Sequence, residues 1–371
     1  MKILITGSNS FIAKNLIHSL KTLNNIEIFE FNKNNSIIDL YSKLLAADYI
    51  IHCAAVSRPE LKSDFTKVNF GLTKIIVDFL LKNKLNSKII FLSTIKVSNN
   101  SLYGKSKKKA EELLKKLHQL QSNEIYILRL PNIFGKWGKP NYNSVVATFC
   151  YLVSRNQKLK LRNKHQPFPL LYIDDLLKVF HQILFEKIYY KKFNIITKFK
   201  IFKTTPHNLA IIIKKFFQQR SISFVPDTSD LFIKYLYSTY ISYLPERDIV
   251  YPLKSNLDKR GNFVEFIKLS NNGQISYCTI NPHKIRGPHY HNTKIEKFIV
   301  LSGSVIFTFQ NIDTLQKTTF KLSAKQPKVI ETIPGHTHQI ENSGSKLAII
   351  LVWTNEIFDR NNQDTYLKSI Q

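Results

Sequence analysis

Phe91–Lys107, FLSTIKVSNNSLYGKSK, is the stretch whose reading decides the fold. It continues an apolar, β-branched run from Lys88 to Leu92, which predicts a buried strand ending at Ser93 and Thr94. Tyr103-Gly104-Lys105-Ser106-Lys107 then leads into the helical pattern AEELLKKL. Strand followed by helix is the grammar of an α/β sheet. Tyr103 and Lys107 are separated by one helical turn and share a face. An ammonium beside a phenol favours the phenolate, which predicts a lowered tyrosine pKa. Thr94, at the strand end, can hydrogen-bond the same substrate oxygen. Such a set moves a proton on or off a carbonyl oxygen while hydride moves at its carbon, so Thr94, Tyr103 and Lys107 are the candidate catalytic residues. A bare Tyr-x-x-x-Lys is common by chance and reads as a core tyrosine beside a solvated lysine. The strand-end Ser-Thr pair and the N-terminal turn carry the functional reading.

That turn follows a short strand over residues 2–6. Gly7-Ser8-Asn9-Ser10-Phe11-Ile12-Ala13 runs into the helical AKNLIHSLKTL. A small-residue turn between strand and helix offers backbone N–H groups and a positive helix end to a pyrophosphate. Of the Gly-x-x-Gly-x-x-Gly fingerprint only Gly7 remains, with Ser10 and Ala13 in the other places. A second strand, IEIFEFN (26–32), is followed by Lys33 and no carboxylate, which favours a 2′-phosphate and so NADP(H). Glu30 is the counter-candidate if that strand ends earlier. Asp39-Leu40 either borders the adenine or marks a helix start capped by Asp39. YIIHCAA (49–55) is a third strand whose small ending, Ala54 included, lets a cofactor backbone cross the sheet edge. A helix then opens at Asn69. The βαβαβ order predicts a doubly wound, Rossmann-like parallel sheet.

Downstream, IYILRLPNIFG (125–135) is a strand ending on the ligand-binding side, and GKWGKPNYNSVVATFCY (135–151) suits a substrate loop entering a helix. LLYIDDLLKVF (170–180) reads as a strand into a helix capped by Asp174 or Asp175. From 181 to about 243 the pattern is helical and aromatic, as for a small lid. A chain of 371 residues is expected to form two domains, here 1–243 and 244–371.

The second stretch changes character, with Gly and Pro punctuation between period-two runs such as QISYCTI and EKFIVLSGSVIFTF. Short strands without long helices predict an all-β sandwich or small barrel. Within it, His289 and His291 alternate on one strand and face the same way. Glu296 and His338 complete a candidate site of three nitrogens and one carboxylate for a divalent metal of zinc or iron type. His336 and Tyr290 are weaker candidates.

The net charge of +28 raises nucleic-acid binding, but the lysines are spread along the chain without a basic arm. Attraction for an anionic nucleotide substrate is the simpler use of that charge. No apolar run approaches the roughly 18 residues of a membrane span, and Met1 leads straight into a strand without a signal peptide. Cys53, Cys150 and Cys278 are scattered, as buried free thiols would be. A cytoplasmic protein is expected.

Over nearly its whole length the chain resembles a known combination. TGSNSFIAKNL, HCAAVSRP, Thr94, YGKSK, RLPNIFG and YIDDL are similar to an extended short-chain dehydrogenase/reductase. HYH-x4-E-x6-G and GHTHQIEN resemble a cupin, whose fold is a β barrel. KPNYNSVVATFCY, LYSTYISYLP, RGNFVEFIK and HNTKIEKFIVLSG resemble the bifunctional capsular-polysaccharide enzymes on the pathway to UDP-N-acetyl-L-fucosamine. The resemblance implies a UDP-linked 4-keto-6-deoxy-N-acetylhexosamine as substrate. The cupin would epimerise carbon 3, and the NADPH-dependent reductase domain would reduce carbon 4 to give UDP-2-acetamido-2,6-dideoxy-L-talose. It further implies that Thr94 orients the ketone, Tyr103 donates the proton and Lys107 holds the nicotinamide ribose. Gly7 to Ile12 would carry the pyrophosphate, and His289, His291, Glu296 and His338 would bind the metal, expected to be zinc. A homodimer is expected of the reductase type. Two other readings stand beside this one. A 4,6-dehydratase or carbon-4 epimerase uses the same Thr-Tyr-Lys set, although a dehydratase would place Asp-Glu where Ile95-Lys96 stand. Alternatively the cupin is a non-catalytic sugar-binding or oligomerisation module.

Overall fold

The apolar runs of the first half become the strands of one parallel sheet. A computed structural model describes residues 1–58, 61–186, 191–270, 273–359, 361 and 363–371. Two compact units form, Met1–Lys214 with Tyr235–Pro245, and Lys215–Lys234 with Glu246–Gln371.

In the first unit the strands are β1 (Lys2–Thr6), β2 (Glu27–Phe31), β3 (Tyr49–His52), β4 (Lys88–Thr94), β5 (Ile125–Leu130), β6 (Asn132–Phe134), β7 (Phe168–Tyr172), β8 (Phe193–Ile196) and β9 (Ile201–Thr204). Six of them make a sheet in the order β2-β1-β3-β4-β5-β8 with every pair parallel. The Rossmann-like sheet is therefore present. β6, β7 and β9 form a small separate sheet. The helices are α1 (Phe11–Leu20), α2 (Ile37–Ala46), α3 (Leu72–Lys82), α4 (Leu102–Gln121), α5 (Val145–Val153) and α6 (Ile173–His181). Serines open four of them: Ser10, Ser36, Ser101 and Ser144 each accept a hydrogen bond from the backbone N–H three residues on. One side of the sheet is sealed by Leu40, Leu44, Ile76, Leu80, Leu114 and Leu117, all essentially unexposed. Each such side chain contributes roughly 1.5–3 kcal/mol.

Three expectations change. The residues from 181 to 243 are not uniformly helical, because the four-residue runs FNII and IFKT form β8 and β9 before α7 (Pro206–Arg220) and α8 (Leu231–Ile241). Apolar runs that short do not separate strand from helix by period. α6 begins at Ile173 with Tyr172 as its cap, so Asp174 and Asp175 lie inside the first turn, where their charge complements the helix dipole. Asn69 lies inside an irregular helical segment, Phe65–Gly71, that precedes α3.

The second unit is β-rich. Its strands are β10 (Phe224–Val225), β11 (Ser255–Asp258), β12 (Gly261–Leu269), β13 (Gly273–Ile280), β14 (Ile285–Tyr290), β15 (Glu296–Ser302), β16 (Ser304–Asn311), β17 (Lys317–Ser323), β18 (Val329–Glu331), β19 (His336–Glu341), β20 (Ala348–Thr354) and β21 (Tyr366–Leu367). One sheet runs β10-β12-β13-β20-β15-β18, with β11 on β12, and the other β17-β16-β19-β14-β21. Inward residues of both, among them Phe298, Val300 and Ile350 from the first and Phe307, Phe309 and Ile340 from the second, meet in one core. Alternation of buried and half-buried residues along β13 and β20 is the period-two pattern made physical. The segment Lys215–Lys234 belongs here, because β10 pairs with the end of β12.

Candidate active site and candidate metal centre

The end of β1 packs against the end of β3 so closely that only glycine fits between them. Gly7 has φ +68°, and a Cβ there would lie 2.7 Å from the Ala54 backbone. Gly7→Ala should cost ~1–3 kcal/mol through strain at positive φ, and would push apart the turn expected to face a cofactor. Chemical denaturation and cofactor titration check both effects. Ser10 caps α1, its Oγ accepting from Ala13 N at 3.4 Å. The N–H groups of Phe11 and Ile12, in the first turn, have no intrahelical partner and remain for an anion.

Beyond β2 the backbone folds on Asn32, whose Oδ1 accepts from Asn34 N at 3.0 Å and whose side chain reaches Ser8 Oγ at 3.4 Å. Lys33 is exposed beside it. Glu30 lies within the strand and pairs with Lys21 at 3.5 Å, so no carboxylate follows β2. Asp39 sits in the first turn of α2, which Ser36 caps, and its carboxylate holds Lys43 at 2.7 Å. Leu40 is fully buried in the core, so its side chain packs the fold rather than facing a ligand.

Under this edge lies a polar chain. His52 bridges Thr6 Oγ1 at 2.6 Å and Thr73 Oγ1 at 3.0 Å, and burial, with Lys107 nearby, lowers its pKa to about 3. It is a neutral interior strut. Asn69, fully buried, bonds the N–H and carbonyl of Val56 and the Ser106 hydroxyl, tying the loop after β3 to α4. Its contacts escaped the sequence reading; the available signal was a lone amide opening an apolar helical run.

Thr94 ends β4, buried, its Oγ1 accepting from Lys96 N at 3.2 Å and its own proton left to donate. Tyr103 stands in the first turn of α4, and with Ser57, Phe65, Lys96, Asn99 and Asn143 lines a cleft of about 440 Å³. Burial, with Tyr142 second, pushes the Tyr103 phenol up to about 12. Lys107 is buried with no hydrogen-bond partner for Nζ among the described residues, which lies 4.2 Å over the Phe91 ring. Burial lowers its pKa to about 7 against the opposing pull of Cys53 and Glu111. The helical spacing is therefore as expected, but the electrostatic coupling is not. Lys107 does not acidify Tyr103, whose protonated form is the one a carbonyl reduction requires. Behind this pair, Glu111 accepts from Ser93 and, through two oxygens, from Arg129, joining α4 to β4 and β5.

The lysine has a measurable consequence. Between pH ~7 and ~10.5 the unfolded chain holds this proton and the native chain does not, so the Lys107 contribution makes stability rise with pH across that window. Lys107→Met should remove that slope and raise the Tm of this unit at pH 7 by at least ~2–4 °C, about 1 kcal/mol for a unit of roughly 200 residues. Thermal melts at several pH values check it.

In the second unit, β14 and β19 pair His289 directly with His338. His291, just past β14, and Glu296, opening β15, complete a cluster whose ligand atoms all lie within 4.8 Å of one another. Glu296 Oε2 is 3.3 Å from both His291 Nε2 and His338 Nε2. His291 Nδ1 lies 2.5 Å from the Asp364 carbonyl, which fixes the ring with Nε2 towards the cluster. Burial, reinforced by the neighbouring His338, lowers the His289 pKa to about 3 and keeps the ring neutral. Burial alone would raise the Glu296 carboxyl, but His291, His338 and Lys294 outweigh it and hold it well below the usual range. Nδ1 of buried His338 lacks a hydrogen-bond partner among the described residues, and its Nε2 faces Glu296 at 3.3 Å without hydrogen-bond geometry. Orphaned imidazole nitrogens beside an ionised carboxylate fit a divalent metal ion. His336 is drawn away to Asn311 and the Pro334 carbonyl, and Tyr290 stacks on Tyr366.

The cluster opens into a cavity of about 840 Å³ whose wall includes Lys254, Arg286 and Phe358 beside His289, Glu296 and His338. The Arg286 Nη2 is buried without a hydrogen-bond partner among the described residues, 3.9 Å from Asp258, which Arg260 already holds.

The model of the NAD dependent epimerase/dehydratase family matches residues 3–195. The chain belongs to that family. A second model, the polysaccharide biosynthesis C-terminal domain, matches residues 256–366. A curated relative from Pseudomonas aeruginosa, UDP-2-acetamido-2,6-beta-L-arabino-hexul-4-ose reductase, is 35% identical over 371 residues, covering 100% of this chain and 99% of that one. The crystal structure of the capsular polysaccharide assembling protein CapF from Staphylococcus aureus superposes with a TM-score of 0.92 at 38% identity, covering 99% of each chain. CapF with the inhibitor 3-isopropenyl-tropolone gives 0.87 at 35%, again over 99% of each. Membership in this epimerase/dehydratase family supports a nicotinamide cofactor. No helix among the described residues is long and apolar enough to cross a membrane.

Proposed function

We propose that this chain is a bifunctional nucleotide-sugar enzyme of capsule synthesis. Its substrate is a UDP-2-acetamido-2,6-dideoxy-4-hexulose. Residues 1–243 work as the reductase and 244–371, a cupin barrel in this reading, as the carbon-3 epimerase, with Lys215–Lys234 packed on the latter. The observation that carries the reading is full-length similarity to a UDP-hexul-4-ose reductase, in a chain whose cleft holds Tyr103 and whose second unit holds a separate His/Glu cluster.

Bound NADPH supplies hydride to carbon 4. Tyr103, protonated at working pH, donates its proton to the developing alkoxide, and the Thr94 hydroxyl donates to the same oxygen. Lys107 Nζ, unpartnered and buried, is the donor available to the cofactor ribose. Exposed Lys33, with no carboxylate after β2, supports the 2′-phosphate of NADP(H).

In the second unit the carbon-4 ketone acidifies the proton on carbon 3, so removal to an enolate and return on the other face inverts that centre. His289, His291, Glu296 and His338 would hold the ion, and zinc suits their donor set. Such an ion supplies Lewis acidity towards the sugar oxygens. The cationic wall at Lys254 and Arg286 suits a diphosphate or an enolate. Tropolone, with adjacent carbonyl and hydroxyl oxygens, is itself a metal-chelating shape, which agrees with a metal in the related protein. The test is to supply the UDP-4-keto sugar with NADPH and read the product by NMR. A 6-deoxy-talose configuration with equimolar NADPH oxidation is expected, and absence of oxidation with NADPH bound would overturn the substrate.

A further inference from the structure

The loop joining two of the metal-centre residues is held by a residue far away in the chain. His291 and Glu296 are separated by Asn292, Thr293, Lys294 and Ile295. Asp364 closes on this connector from the C-terminal tail. Its Oδ1 accepts from Asn292 N at 3.0 Å, and its Oδ2 from Thr293 N at 2.6 Å, Thr293 Oγ1 at 2.9 Å and Lys294 N at 2.8 Å. Its main-chain oxygen takes His291 Nδ1 at 2.5 Å. The residues that follow continue the grip. Thr365 Oγ1 accepts from Lys294 Nζ at 3.2 Å, and β21 pairs Tyr366 and Leu367 with Tyr290 and His289.

We propose that Asp364 is a positioning residue of the metal centre, holding His291 and the His291–Glu296 connector in the geometry that presents both ligands to one ion. The proposal rests on the reading of this cluster as a metal site. A histidine ligand needs its second nitrogen engaged so that tautomer and ring plane are set, and the Asp364 carbonyl does this. A five-residue step between ligands also needs its backbone fixed. One carboxylate that gathers three consecutive N–H groups does so without adding a ligand. The tail thereby becomes part of the site, and its last strand lies against His289 and Tyr290 of β14.

The experiment uses the full-length protein, stripped with a chelator and titrated with zinc in competition and with cobalt(II) by absorbance. Asp364→Ala should raise the zinc Kd about 10- to 100-fold, the scale expected for partners of metal ligands, and change the cobalt ligand-field bands. Asp364→Asn, which keeps one acceptor oxygen, should fall between. A fold defect would reduce the bound fraction without changing the bands of what remains bound. Should Asp364→Ala fail to fold, Asp364→Asn decides by the same readings. Affinity within about twofold of wild type, with an unchanged cobalt spectrum, overturns the role of Asp364. Wild-type protein that binds neither ion overturns the metal reading, and the role of Asp364 with it.

Discussion

Tyr103→Phe should remove NADPH oxidation by about 10²- to 10⁴-fold, the usual worth of a positioned general acid, while leaving deuterium exchange at carbon 3 of the substrate at the wild-type rate. The substitution deletes only the hydroxyl. The ring still packs near Phe65, 6.2 Å between centroids, so the wall of the cleft is kept. With a phenol pushed up to about 12, the wild-type rate should carry no tyrosine ionisation between pH 6 and 9. Stopped-flow NADPH oxidation across pH, in wild type and variant, measures both. A variant that reduces at the wild-type rate would remove Tyr103 from the mechanism.

His338→Ala should have the mirror effect. Losing one side chain of the proposed four-ligand cluster should weaken metal binding by more than the 10–100-fold typical of a mere supporting partner, and should abolish carbon-3 exchange. NADPH oxidation on a sugar already epimerised at carbon 3 should continue. His338 is the informative choice because it pairs with His289 on one side and with Phe309 on the other, so its backbone is held whatever its side chain. His336→Ala is the internal comparison, since that ring bonds Asn311 outside the cluster, and metal content should be unchanged. Metal analysis and NMR exchange rates on both variants separate the outcomes. Exchange that persists in metal-free His338→Ala would make the ion structural or incidental.

Much of this could be read from local pattern. The Ser93-Thr94 strand end and the Tyr103–Lys107 spacing depend only on period, and so did the alternation that put His289 and His291 on one side. Burial escaped such reading. Spacing placed Lys107 beside Tyr103 on the helix, but packing sent its ammonium over Phe91, so the expected acidification of the phenol is absent. Asp39 looked like a cap or a cofactor contact, and Ser36 takes the capping place. The choice between His336 and His338 needed the register of β14 on β19, which no single strand contains. Asp364, more than seventy residues from His291, carries no local signal at all. The short strands after 181 failed for lack of length, since four residues do not distinguish a period of two from one of 3.6.

In the proposed function one chain carries two separate chemistries on one sugar. The direct measurement is to incubate purified protein with the UDP-linked 4-keto-6-deoxy-N-acetylhexosamine in heavy water without NADPH, and to follow carbon 3 by NMR. Deuterium should enter at carbon 3 with no reduction, and NADPH added afterwards should convert the exchanged sugar to the 6-deoxy-talose product. Reduction on adding NADPH with no prior exchange at carbon 3 would contradict the account, leaving the second unit as a binding module beside a single reductase.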